Sequence, residues 1–107
     1  MGTGAFGVTP SGSQPGTART TDGQLVAAGN GLRITAFTAE ETAGAVAEFN
    51  LHHGTSNAGP VVGYVRLEAD ERMGGDWGGI EVEVPNGVYL DVLSGAVSVI
   101  PFSKTAT

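Results

Sequence analysis

The chain has 107 residues, 18 of them Gly and 5 Pro, with 5 Lys+Arg against 11 Asp+Glu for a net charge of −6. That length sets a ceiling of one domain, and the content of chain-breaking residues leaves little room for long helix. The acidic balance argues against a nucleic-acid partner, the absence of cysteine removes disulfides, thiol nucleophiles and thiolate metal sites, and no apolar run reaches the ~18 residues that cross a bilayer, so no membrane partner is expected.

Residues 1–22 hold only Met1, Phe6 and Val8 as sizeable apolar side chains, among Gly, Ser, Thr and two Pro. Such a stretch cannot bury enough apolar surface to offset ~1–2 kcal/mol of backbone entropy per residue. It is expected to be a flexible or extended N-terminal arm, lying against a partner surface with Phe6 and Val8 as its anchors. Arg19 and Asp22 cancel, so the whole net charge falls on residues 23–107, the expected folded domain.

From Gln24 onward, short apolar runs are broken by Gly29-Asn30-Gly31, Asn57-Ala58-Gly59-Pro60, Gly74-Gly75-Asp76, Asn86-Gly87 and Ser94-Gly95, the spacing of strands and turns. Six to eight strands are expected. Leu32–Ala36, Ala47–His52 and Val65–Ala69 alternate apolar with polar, the period of a half-buried strand. Thr38–Ala47 reads as an Ala-rich connection, with a short helical turn capped by Thr38 and Glu41 as the minority option. Ile80–Val84 and Val88–Val92 flank Pro85-Asn86-Gly87 and predict a β-hairpin, with Ile80, Val82 and Val84 inward opposite Val88, Leu90 and Val92. A second turn at Ser94-Gly95 returns the chain through Ala96–Ile100, apolar on both faces and therefore expected to be a central or covered strand. The inward sets suffice for two sheets packed face to face, a small antiparallel β-sandwich of jelly-roll or immunoglobulin-like type. A domain of this size without staples is marginal alone, and oligomerisation is a natural remedy.

Candidate chemistry is thin. Glu68, Asp70, Glu71 and Asp76 crowd one stretch but match no EF-hand pattern; the expected reading is a solvated acidic loop, with a cation site or inter-subunit salt bridges to Arg66 or Arg72 as alternatives. His52 and His53 point to opposite faces of a regular strand and cannot chelate one ion from it, so no metal site is expected. Ser56, His53 and Asp70 are formally a nucleophile, base and orienting group, but any β domain of this size offers such a trio by chance, and no nucleophile elbow or phosphate loop is present. Neither enzymatic activity nor a cofactor is expected. Trp77 stands between glycine pairs as either a plug over the end of the sandwich or a contact residue. Tyr64 and Tyr89 fall on the outward register of their strands, where exposed rings suit a subunit interface or a glycan platform.

The order of these pieces resembles the small β-sandwich virion proteins of tailed bacteriophages. The likeness lies in the strand Gly31–Phe37, the turn Leu51-His52-His53-Gly54-Thr55-Ser56, the strand Val61–Leu67, the alternating Gly79–Val84 and the close Asn86–Val99, about two thirds of the chain. What the resemblance implies is a structural protein of the virion, a decoration (cement) protein on the capsid exterior. Its partners would then be the major capsid protein and further copies of itself, with a trimer as the favoured assembly. The rival it also allows is a carbohydrate- or receptor-binding module of a phage fibre or tail, using Tyr64, Tyr89 or Trp77.

Overall fold

The computed structural model describes residues 13–78 and 80–105. Among them there is no helix, and nine strands form two antiparallel sheets. The first sheet runs in the order β1 (Gln14–Pro15), β9 (Val97–Lys104), β3 (Arg33–Glu41), β6 (Arg72–Asp76). A two-residue strand, β7 (Val82–Glu83), continues the line of β6 along the other end of β3, pairing Ile34 with Val82 where β6 pairs Ala36 to Glu40. The second sheet is ordered β2 (Gly23–Val26), β8 (Val88–Ser94), β4 (Ala47–His53), β5 (Val61–Leu67).

With β6 and β7 taken as halves of one strand, the pairs β1·β9, β2·β8, β3·β6/7 and β4·β5 are those of one long hairpin folded over into two sheets. This is the double Greek key of a jelly roll, so the strand order decides for that alternative over the immunoglobulin-like one. The expected all-β sandwich is the fold observed. Its interior is filled by Phe49, Leu51, Leu67, Val88 and Leu90 from the second sheet and Ile34, Val97 and Val99 from the first, all fully buried.

The expected hairpin of residues 80–92 does not form. Val84, Val88 and Leu90 are buried as the alternation requires, but β7 hydrogen-bonds to β3 in one sheet while β8 pairs with β4 and β2 in the other. Pro85-Asn86-Gly87 is thus an arch between sheets. The Gly87 N–H donates to the Val84 carbonyl at 2.8 Å, and its positive φ of 91° provides the tight reversal without committing both flanks to one ladder. Ile80 is not inward either; it is 67% exposed, opposite Trp77 in an excursion between β6 and β7.

The turn at Ser94-Gly95 is likewise an arch, from β8 into β9. At Gly95 φ is 75°, and an added Cβ would sit 2.6 Å from the Val46 carbonyl, so glycine is required there by both conformation and space. The strand that follows is interior to its sheet, between β1 and β3, as its two-faced apolarity suggested. Thr38–Glu41 belongs to β3 and not to a connection; the ladder to β9 and β6 overrides the local capping pattern, and only residues 42–46 turn. Alternation along β3 shifts phase at a bulge between Ile34 and Ala36, so the inward set is Leu32 and Ile34, then Phe37, Ala39 and Glu41. The extra residue, Thr35, is buried, donating to the Phe102 carbonyl at 3.1 Å and sharing a 3.0 Å hydrogen bond with Ser13.

Residues 13–19 of the N-terminal arm lie along β9. Gln14 and Pro15 pair with Ser103 and Phe102, Gly16 N–H donates to the Pro101 carbonyl at 2.7 Å, and Arg19 exchanges backbone hydrogen bonds with Val99. Asp22 then accepts the Val92 N–H at 2.7 Å, carrying the chain across to the second sheet. Phe6 and Val8 lie outside the described residues.

Candidate functional site

Strand alternation turns Ala47, Phe49 and Leu51 inward on β4, and Val88 and Leu90 inward on β8. Glu48, Asn50, His52, Tyr89 and Asp91 therefore line the outer face of the second sheet. The register arranges that face in rows. Tyr64, Asn50 and Asp91 lie side by side across β5, β4 and β8; in the next row stand Val61, His52, Tyr89 and Gln24; on the other side are Arg66, Glu48 and Ser94.

Hydrogen bonds fix these side chains. Tyr64 donates its hydroxyl to Glu48, whose carboxylate raises the phenol pKa and keeps it a donor, and Ser94 donates to the other Glu48 oxygen at 3.4 Å. His52 is buried under the β4–β5 loop, with Nδ1 2.8 Å from the Gly59 carbonyl and Nε2 3.2 Å from Asp91 Oδ2. Tyr64 is 54% exposed, while Tyr89 and Asn50 are half-buried. Tyr64 and Tyr89 thus come onto one face; Trp77 does not join them.

Trp77 packs against the core, its ring edge-on to Phe37 at 5.8 Å, and its indole N–H donates to the Val62 carbonyl at 2.7 Å. That bond ties the β6 side of the first sheet to the β5 edge of the second. Of the two roles open to Trp77, the plug is the one its contacts describe.

The acidic stretch is spent on local structure. Glu68 pairs with Arg66, the Glu68 N–H donates to Glu71 at 2.8 Å, Asp76 accepts from the Gly78 N–H at 2.9 Å, and Arg72 reaches across to Glu40 at 3.0 Å. Among the described residues no group of three His, Cys, Asp or Glu side chains is placed to hold a metal ion. Ser56 Oγ accepts from the Ala58 N–H and His53 Nε2 accepts from the Asn86 N–H, so these two members of the formal trio bond elsewhere.

The residues that sequence reasoning passed over are Asn50, Glu48, Gln24 and Asp91 on the outer face and Glu41 inside. The outward register of β4 and β8 carried the signal for the first group, but strand order was needed to set the two strands side by side. On the outer face of the first sheet, Thr38, Glu40, Arg72, Gly74, Ser98 and Ile100 line an open trough of about 720 Å³.

Fold and side-chain constellation together define a jelly-roll module with a polar, tyrosine-bearing outer face. No protein-family model, curated protein or solved structure matches the chain.

Proposed function

We propose that the protein is a structural component of a tailed-bacteriophage particle, a capsid decoration protein that docks on the major capsid lattice and stabilises it from outside. The observation that carries this reading is the N-terminal segment. It is polar and has no core of its own, yet from Ser13 it is knit to the edge of the first sheet by strand pairing and by the Ser13–Thr35 hydrogen bond. Anchored from Ser13, the segment is read as the tether that carries Phe6 and Val8 to the lattice, and the trough on the same sheet as a second area for a lattice partner. The resemblance drawn from the Gly31–Phe37, Leu51–Ser56 and Asn86–Val99 patterns supports the same reading, as does a jelly-roll architecture, which viral coat domains use among many other proteins. Self-association, as a trimer or another closed ring, would cover the exposed Ile80 in the excursion between β6 and β7.

The test is a truncation that stops before Ser13. Removing residues 1–12 spares β1 and is expected to leave the thermal melt of the sandwich intact while releasing the protein from particles in a salt and dilution wash that the full chain withstands. Retention equal to that of the full chain would contradict the tether. A cut after residue 20 is not equivalent, since it strips β1 from β9 and removes the Ser13–Thr35 bond.

A further inference from the structure

The outer face of the second sheet is built for something other than solvent, and we propose that it is a binding platform for a neutral saccharide chain. Two tyrosine rings stand on it two strands apart and two residues out of step, roughly 12 Å between Cα atoms from strand spacing and rise. Between them lies Asn50, half-buried, whose amide makes no side-chain hydrogen bond among the described residues and so offers both a donor and an acceptor. An aromatic ring packs against the C–H face of a pyranose, and amide and carboxylate groups beside it take up the hydroxyls. A polyol needs both at once, and the row Tyr64, Asn50, Asp91 supplies both.

The polar groups are held before any ligand arrives. Glu48 is fixed by the Tyr64 and Ser94 hydroxyls, and Asp91 by His52, which is itself fixed by the Gly59 carbonyl. Side chains locked in this way lose little freedom on binding. Charge selects the class of saccharide: the face carries the Glu48 and Asp91 carboxylates, Arg66 is paired with Glu68, and the chain as a whole is at −6, so a uronate, sialylated or phosphorylated glycan is repelled. A protein partner is disfavoured because the centre of the face is a polar row; its large exposed apolar side chains, Val61 and Tyr64 on β5 and Leu93 on β8, lie on the strands to either side of Asn50. The inference concerns the sheet opposite the tether and stands independently of capsid docking.

Titration of the isotope-labelled full chain with hexasaccharides of glucose, mannose and galactose, followed by amide NMR, tests it, with an alginate hexamer as anionic comparison. At least one neutral probe is expected to shift the amides of Glu48–His52, Tyr64 and Tyr89–Asp91 with a Kd on the order of 1 mM. Tyr64→Ala, an exposed position, should weaken that binding about tenfold, Asn50→Ala should weaken it too, and Ser98→Ala, on the outer face of the first sheet, should leave it unchanged. The proposal is overturned if no neutral probe at about 20 mM moves these amides, if Tyr64→Ala leaves the shifts as they were, or if the alginate hexamer binds there more tightly. Shifts that grow with protein concentration without sugar would also overturn it, by showing that a second copy covers the face.

Discussion

Glu41 ends β3 on an inward position, 3% exposed, where a carboxylate is costly unless its oxygens are satisfied. Three backbone N–H groups satisfy them: Asp70 and Gly44 at 2.8 Å on one oxygen and Ala43 at 2.6 Å on the other. One side chain thereby clamps the β3–β4 turn to the β5–β6 turn, where Asp70 sits at a φ of 63°. The Asp70 N–H, helped by those of Ala43, Ala45 and Gly44 and opposed by desolvation, holds the Glu41 pKa below its ordinary 4.5. Glu81 is lowered as well, first by Lys104 and then by Arg33 at 3.3 Å, so it is a bridged residue. A depressed folded pKa gives a contribution that is complete above the unfolded value and lost as pH falls through the folded one. Melting temperature should therefore hold from neutral pH down to about pH 5 and fall below it. Glu41→Gln should lower the melt by several degrees at pH 7 and flatten the acid decline, whereas Glu68→Gln should do neither; coincident wild-type and Glu41→Gln curves from pH 7 to pH 3 would remove the clamp from the explanation. In the sequence Glu41 was visible only as the end of a capping pattern. The N–H groups it meets come from its own turn and from a residue 29 positions away, and the latter is a fact of topology.

At the scale of elements, the alternation of Ile34, Phe49, Leu51, Val65, Leu67, Val84, Val88 and Leu90 was legible because burial on one face imposes period two wherever a strand lies. Pairing was not. Asn86-Gly87 supplies a positive φ that serves a hairpin and an arch equally, and the choice between them depends on which strand each flank meets across the sandwich. In a jelly roll nearly every connection crosses between sheets; β4–β5 is the local hairpin, and reading nearest neighbours as partners fails for the rest. The β3 bulge was hidden for a similar reason, since its cause is the burial of Thr35 against Ser13 and Phe102. Cross-strand amide and Hα contacts decide between arch and hairpin: they should join Val82 to Ile34 and Leu90 to Leu51, and a Val82–Leu90 contact through a shared ladder would contradict the strand order. Val84→Asp, at a fully buried position, should unfold the domain because an unpaired buried charge costs several kcal/mol, while Glu83→Gln on the exposed side of β7 should change stability by no more than ~0.5 kcal/mol. Thermal melts of the pair read both.

At the scale of the molecule, the two sheets present different outer surfaces. The first carries the trough and the edge along which residues 13–19 run; the second carries the tyrosine-bearing polar rows. A module that docks through the first sheet and its N-terminal segment leaves the second facing outward, which joins the decoration reading to the saccharide platform without making either depend on the other. The sequence made the sandwich, the segment and the outward tyrosines legible, since each follows from local composition or period. It did not reveal that Tyr64 and Tyr89 share a face with Asn50 between them, because that requires β5, β4 and β8 to be neighbours. The direct measurement is the copy number of this chain in purified particles, by quantitative gel against the major capsid protein. A decoration protein is expected in hundreds of copies, in fixed proportion to the capsid subunit. A few dozen copies or fewer, or none, would contradict capsid decoration, and the low number would point to a fibre or tail component.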